Sequence, residues 1–154
     1  MSSVLHKVLW HLKVKVVSPL LNSAVEHCLF NCHHIYGDKS RVRISKTAQI
    51  NNAVLNTNGG EIVVEDWVFF GHGVSLLTGI HDYHKFKQER ITSGARTGRD
   101  IVIKSGAWIS SNATVLGPCV IGEDAVVAAG SVVVSDVASR SLVAGIPAKL
   151  IKTF

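Results

Sequence analysis

No apolar stretch of this 154-residue chain approaches the roughly 20 residues that a membrane-spanning helix needs. The first residues, Met1-Ser2-Ser3-Val4-Leu5-His6-Lys7, lack the charged-then-apolar order and the small-residue cleavage site of a secretory signal. The expectation is a cytoplasmic protein. Low-complexity tails and linkers are missing too, and the length suits one domain. Aromatic residues make up only 6% of the chain, and its charged residues are scattered rather than striped. No base-stacking platform or recognition helix is visible, which argues against nucleic acid as a partner. The net charge of +5 still suits anionic ligands, including phosphate-bearing cofactors.

Cysteine is also scarce. Cys28, Cys32 and Cys119 are an odd set with no secretory signal, and the expectation is free thiols. Cys28 and Cys32 stand four apart on one face of an expected helix, beside His33 and His34. That grouping admits either a metal site or two buried helix thiols. No second ligand pair at zinc-like spacing follows, so the thiol reading is preferred.

What the chain has in abundance is a period. From Ile103 onward every sixth residue is aliphatic: Ile103, Ile109, Val115, Ile121, Val127 and Val133. Four residues after each stands a second column, mostly small: Ala107, Ala113, Cys119, Ala125, Ser131 and Val137. A helix repeats near 3.6 and a lone strand at 2, so neither produces a six-residue period with two columns. A coiled wall of short strands does. Stacked rungs then bury a core that no single rung could bury. Upstream, Val64, Phe70 and Leu76 form the large column, followed by Val68, Val74 and Ile80. Ile44 and Ile50 begin an earlier pair, followed by Ala48 and Val54. Between Ile50 and Val64 the register gains two residues at the turn-rich Asn56-Thr57-Asn58-Gly59-Gly60. Between Leu76 and Ile103 it breaks again, which predicts a loop leaving the coil over residues 81–100.

Residues 1–40 read differently from the repeat domain at 41–154. Val4, Leu5, Val8, Leu9 and Leu12 recur at helical spacing. Ser18-Pro19 reads as an N-cap with proline at the first helical position, opening a second helix whose apolar face holds Leu20, Leu21, Ala24, Val25, Cys28 and Leu29. Two such helices suit a cap over an open end of the coil. With Lys7, Lys13 and Lys15 they also suit contact with a membrane surface.

Three segments carry a resemblance. Residues 121–133, Ile-Gly-Glu-Asp-Ala-Val-Val-Ala-Ala-Gly-Ser-Val-Val, and 143–152, Val-Ala-Gly-Ile-Pro-Ala-Lys-Leu-Ile-Lys, resemble the closing rungs of hexapeptide-repeat acyltransferases. Residues 77–83, Leu-Thr-Gly-Ile-His-Asp-Tyr, resemble the catalytic segment of the galactoside and maltose acetyltransferase branch, which includes polysaccharide O-acetyltransferases. The resemblance covers residues 42–152. It implies a mainly β fold, a left-handed parallel β-helix, assembled as a homotrimer with active sites between subunits. Val134-Ser135 stands where family members often carry Thr-Lys, so one usual cofactor-side lysine is missing. The N-terminal segment does not resemble that of the sugar acetyltransferases.

The resemblance also assigns roles. Acyl transfer from a thioester needs a group that takes a proton from the attacking hydroxyl or amine and returns it to the leaving thiolate, and one histidine suffices. His81 is that base by resemblance, at the point where the coil gives way to the loop. Asn51 aligns with an asparagine that holds the acceptor. Trp108 takes a position flanking the cleft, and His84 is a loop residue placed to touch substrate. Acetyl-CoA is the implied co-substrate, with Ser111 and Ala129 contacting its arm through main chain and Lys149 and Lys152 near its phosphates. For each, an ordinary structural reading stands beside the functional one: turn, packing or solvated surface. His72 reads as a turn residue, and Lys85, Lys87, Arg90, Arg96 and Arg99 as a solvated loop. No metal is implied, since His72, His81 and His84 do not match the spacing of the carbonic anhydrase relatives. Function is expected to be O-acetylation of a sugar or polysaccharide precursor. N-acylation of a sugar nucleotide and a non-catalytic binding module are the alternatives.

Overall fold

The computed structural model describes residues 3–94 and 97–154, and the chain divides into two compact units, residues 1–32 and 33–154. In the first unit, helix α1 (Ser3–Leu12) passes through a π-helical turn (Lys13–Val17) into helix α2 (Ser18–Asn31). The two expected helices are therefore one unbroken run. Val17 has helical dihedrals (φ −72°, ψ −44°) and no side chain caps α2. Ser18 does not act as an N-cap, because the preceding turn already supplies helical backbone and Pro19 adapts through the wider π turn, which dispenses with its missing N–H. Val8, Leu9, Leu12, Val16, Leu20, Leu21, Val25 and Leu29 are all exposed. No described helix is long and apolar enough to cross a membrane. Cys28 is exposed and Cys32 half-buried, so the expectation of two buried thiols is corrected: they lie at the helix end, outside any core.

The second unit is a coil of short parallel strands in three sheets. Face A holds β1 (His34–Tyr36), β3 (Val54–Asn56), β6 (Ser75–Leu77), β9 (Thr114–Leu116) and β12 (Val132–Val133). Face B holds β2 (Val42–Ile44), β4 (Ile62–Val64), β7 (Ile101–Ile103) and β10 (Cys119–Ile121). Face C holds β5 (Phe69–Phe70), β8 (Trp108–Ile109), β11 (Val126–Val127), β13 (Ser141–Gly145) and β14 (Ala148–Thr153). From β6 to β12 the chain visits A, B and C in strict rotation. Single bridges at Gln49 with Phe69 and Val137 with Ile121 mark where the rotation continues without a full strand. Among the described residues only β13 and β14 run antiparallel, as a hairpin closing the edge of face C.

The register explains the six-residue period. Ile101 pairs with Cys119, Trp108 with Val126 and Thr114 with Val132, each a step of 18 residues, or three hexapeptides per turn. Every aliphatic residue of the column from Ile103 to Val133 is buried, as is every member of the small column from Ala107 to Val137. Each fully buried Ile, Leu or Val contributes about 1.5–3 kcal/mol against exposure. Upstream the step lengthens, with Val42 opposite Ile62 and Val54 opposite Ser75. The extra residues sit in the bulge at 56–60. Two expected interior positions differ. Ala53 and Leu55 point inward in place of Val54, because Gln49 to Val54 is five residues where the paired Phe69 to Ser75 is six, so the turn between them is one residue short and alternation moves the inward face with it. Ile80 is exposed while Thr78 is buried, because the chain has already begun to leave the coil there.

Candidate active site

The coil breaks once, between β6 on face A and β7 on face B, and His81 stands at the point of departure. Beneath it, Thr78 is fully buried. Its hydroxyl donates to the Asn56 carbonyl at 2.7 Å and accepts from the Gly59 N–H at 3.0 Å, which ties the bulge to the departing chain. Arg99, where the chain returns, donates from Nε to the Thr78 carbonyl at 2.9 Å. The loop holds an unforeseen short helix, α3 (Lys87–Thr92). It forms because Arg90 and Ser93 satisfy the local carbonyls. Arg90 Nε donates to Lys85 O at 2.7 Å and Nη2 to Tyr83 O at 3.2 Å, with the guanidinium over the Phe86 ring at 5.3 Å. Arg90 and Arg99 thus act as structural staples as well as loop charges, because their guanidinium groups bond carbonyls that no strand ladder reaches. Arg96 lies outside the described residues.

His81 Nδ1 is 2.9 Å from the Arg90 carbonyl oxygen. A carbonyl can only accept, so Nδ1 carries the proton and, in the neutral ring, Nε2 carries the lone pair. The residue is exposed and opens onto a cavity of about 450 Å³ lined by Asn56, Asn58, Gly79, Ile80, His81, Ile91, Thr92 and Gly94. A Cβ on Gly79 would lie 2.9 Å from Asn56 Oδ1, so glycine there makes room for the amide. Asn56 Oδ1 in turn accepts from Asn58 N–H at 3.0 Å. A Cβ on Gly94 would lie 3.4 Å from the Ile80 carbonyl oxygen and 3.8 Å from the His81 ring, so that residue lets the returning chain press against the histidine. Among the described residues of the lining, His81 carries the ionisable side chain. Asn56 and Asn58 were visible in the sequence only as turn residues of the bulge.

The other expected site residues lie elsewhere on the single chain. Asn51, His72, Ser111 and Ala129 each stand three residues before Val54, Ser75, Thr114 and Val132, which pair in succession on face A. They therefore form one column at the corner between faces C and A, whereas His81 is at the corner between A and B. Asn51 Nδ2 donates to the Phe70 carbonyl at 2.7 Å, and Ser111 Oγ accepts from the His72 N–H at 3.2 Å. Trp108 stacks on Phe69 on the outer side of face C, with ring centroids 5.4 Å apart. His84 is exposed in the loop, 4.2 Å ring to ring from Tyr83. Lys149 and Lys152 are exposed on β14. Among the described residues no group of three or more His, Cys, Asp or Glu is placed to hold a metal ion.

Residues 100–135 match the bacterial transferase hexapeptide family, six repeats. Over 150 residues the chain is 35% identical to serine acetyltransferase 2 of Arabidopsis thaliana, covering 97% of this chain and 40% of that one. The chain thus spans less than half the length of that plant enzyme. Among solved structures, a hexapeptide-repeat-containing acetyltransferase of Vibrio cholerae superposes with a TM-score of 0.67 at 26% identity, over 85% of this chain and 78% of that one. The same Vibrio protein has been solved in complex with acetyl coenzyme A. A polySia-specific acetyltransferase matches with a TM-score of 0.51 at 25% identity, over 73% of this chain and 61% of that one. In its repeat, its stacked parallel strands and its relatives, the chain belongs to the hexapeptide-repeat transferase family.

Proposed function

We propose that the chain is an acetyl-CoA-dependent O-acetyltransferase acting on a sugar or saccharide-type acceptor, with His81 as general base. The observation that carries this is the bond from His81 Nδ1 to the Arg90 carbonyl, which leaves the Nε2 lone pair for the cavity. In a ternary complex the acceptor hydroxyl attacks the thioester carbonyl carbon while Nε2 takes its proton. The oxyanion rests on backbone N–H groups of the coil. As the C–S bond breaks, Nε2 returns the proton to the leaving thiolate. The acetyl-CoA complex of the Vibrio relative supports the donor. No metal takes part in this scheme.

Two observations support the rest of the reading. Among the described residues the lining offers amides, a hydroxyl and apolar walls, groups that suit the hydroxyls of a saccharide acceptor. The resemblance to the polySia-specific enzyme supports a saccharide acceptor. The column of Asn51, Ser111 and Ala129 lies a corner away from His81, so a complete site needs that column from a neighbouring copy. A left-handed coil assembled as a trimer supplies it, with Trp108 and His84 near the cleft and Lys149 and Lys152 toward the donor phosphates. The alternative of N-acylation on a nucleotide-linked sugar calls for cationic groups in the lining.

The test is release of free coenzyme A thiol with a panel of sugars, amino-sugars, nucleotide-sugars and serine. Turnover is expected with unmodified sugars, and His81→Ala should lower it by about 10²–10⁴ while the fold and acetyl-CoA binding persist. Retention of more than about a tenth of the activity would remove His81 from the role. Turnover only with serine would overturn the acceptor, and none with any acceptor would favour a binding module.

A further inference from the structure

We infer that Arg90 is the positioning residue of the catalytic base, fixing the tautomer and the aim of His81 without touching substrate. The inference rests on His81 being that base. Arg90 acts at both of its ends. Its guanidinium gathers two carbonyls of the outgoing chain, Lys85 O at 2.7 Å from Nε and Tyr83 O at 3.2 Å from Nη2. Its own carbonyl accepts from His81 Nδ1 at 2.9 Å. Phe86 lies beneath the guanidinium at 5.3 Å, which adds a cation–π contact and limits the side chain's freedom. Ser93 completes the arrangement: its hydroxyl donates to the Arg90 carbonyl at 3.0 Å and accepts from the Asp82 N–H at 3.1 Å. The carbonyl that orients the imidazole is thus held from the side chain of its own residue and from the residue next to the histidine.

The physical reason for arginine is geometric. Two carbonyls two residues apart are met by donors on different nitrogens of one rigid plane, and an ammonium group has no such fork. Without the fork, the Arg90 carbonyl is held by Ser93 and by a six-residue helix too short to be stable by itself. The imidazole then loses its reason to keep the proton on Nδ1. In the other tautomer Nε2 is protonated and cannot accept the acceptor's proton, so catalysis falls although every substrate contact survives.

The experiment has three arms. First, nitrogen-15 NMR of the wild-type protein should show His81 neutral with the proton on Nδ1; a dominant Nε2–H tautomer would overturn the inference without any variant. Second, Arg90→Met, which keeps the aliphatic stem, should lower kcat by about 10- to 100-fold, the cost of a small misplacement at a reacting centre, and leave KM for acetyl-CoA unchanged. Arg90→Lys should recover part of that loss. A kcat equal to wild type in Arg90→Met, or a loss confined to KM, would overturn the inference. Third, in the His81→Ala background Arg90→Met should cost nothing further, because the two act as one unit. An active His81→Ala enzyme defeats the base assignment itself. An inactive one together with a fully active Arg90→Met defeats only the role given to Arg90.

Discussion

Thiols in this chain stand in opposite surroundings. Cys119 lies in the small column of the coil, where burial first and the Asp136 charge second push its thiol up to about 12, and its Sγ–H donates to the Ser135 carbonyl at 3.2 Å. Cys28 is exposed at the end of α2, and Cys32 beside it is raised by desolvation and then by Cys28. Because the thiolate is the reactive form, Cys119 should resist iodoacetamide in the native protein at neutral pH and react only in denaturant, while Cys28 reacts natively. Peptide mass spectrometry reads the difference, and native labelling of Cys119 would contradict its placement in the core. The same scale shows what sequence reveals about a site. His81 was legible because its motif and its position at the register break coincide. Arg90 was not. What it contributes to the histidine is a backbone carbonyl, which every residue possesses, and its staple becomes visible only once the loop is folded. Asn56 was hidden in a similar way, since a bulge rich in Asn and Gly reads first as a turn.

At the scale of the element, the corner between faces B and C is held by side chains as well as by the ladder. Asp66 accepts from the Ser45 hydroxyl and from the Thr47 hydroxyl, the latter at 2.9 Å, and Thr47 Oγ1 accepts from the Trp67 N–H at 3.0 Å. The hydroxyl bonds hold the Asp66 carboxyl below its ordinary value of 3.8. A depressed carboxylate contributes stability that is present above its unfolded value and disappears as pH falls through the folded one. The melting temperature of wild type should therefore exceed that of Asp66→Asn near neutral pH and converge on it as the pH falls through the lowered folded value. A gap independent of pH would assign the difference to shape rather than charge. The elements themselves were legible in proportion to the regularity of their period. From Ile103 to Val137 each expected inward residue is inward. Around residues 53–55 a single-residue slip exchanged Val54 for its neighbours, because the turn after Gln49 is one residue shorter than its counterpart after Phe69 and its composition does not mark the missing residue. The π turn joining α1 to α2 left no mark either, since serine followed by proline reads as a helix start whether or not a helix precedes it.

For the whole molecule, the separation of the two corners carries the weight. His81 stands between faces A and B, while Asn51, Ser111 and Ala129 stand between C and A, so in the proposed site one chain would present each half to a different neighbour. Three copies around an axis close such an arrangement without leaving a half unused. Light scattering should give about three times the 16.6 kDa chain mass, and mixing His81→Ala with Asn51→Ala chains should restore activity to a fraction of the sites. A monomer with full activity would overturn the shared site. The break in the coil has a further consequence. Ser75 pairs with Thr114 across a step of 39 residues where the regular turn takes 18, and yet both flanks of the wall stay in phase. The wall is therefore indifferent to what lies between Gly79 and Gly98, provided the chain leaves and returns at the same two corners. Insertion, deletion or exchange within that stretch changes the chemistry offered to a substrate without disturbing a single core residue. A lineage built this way can diversify its acceptors by trading one segment, much as a tool changes its bit and keeps its handle.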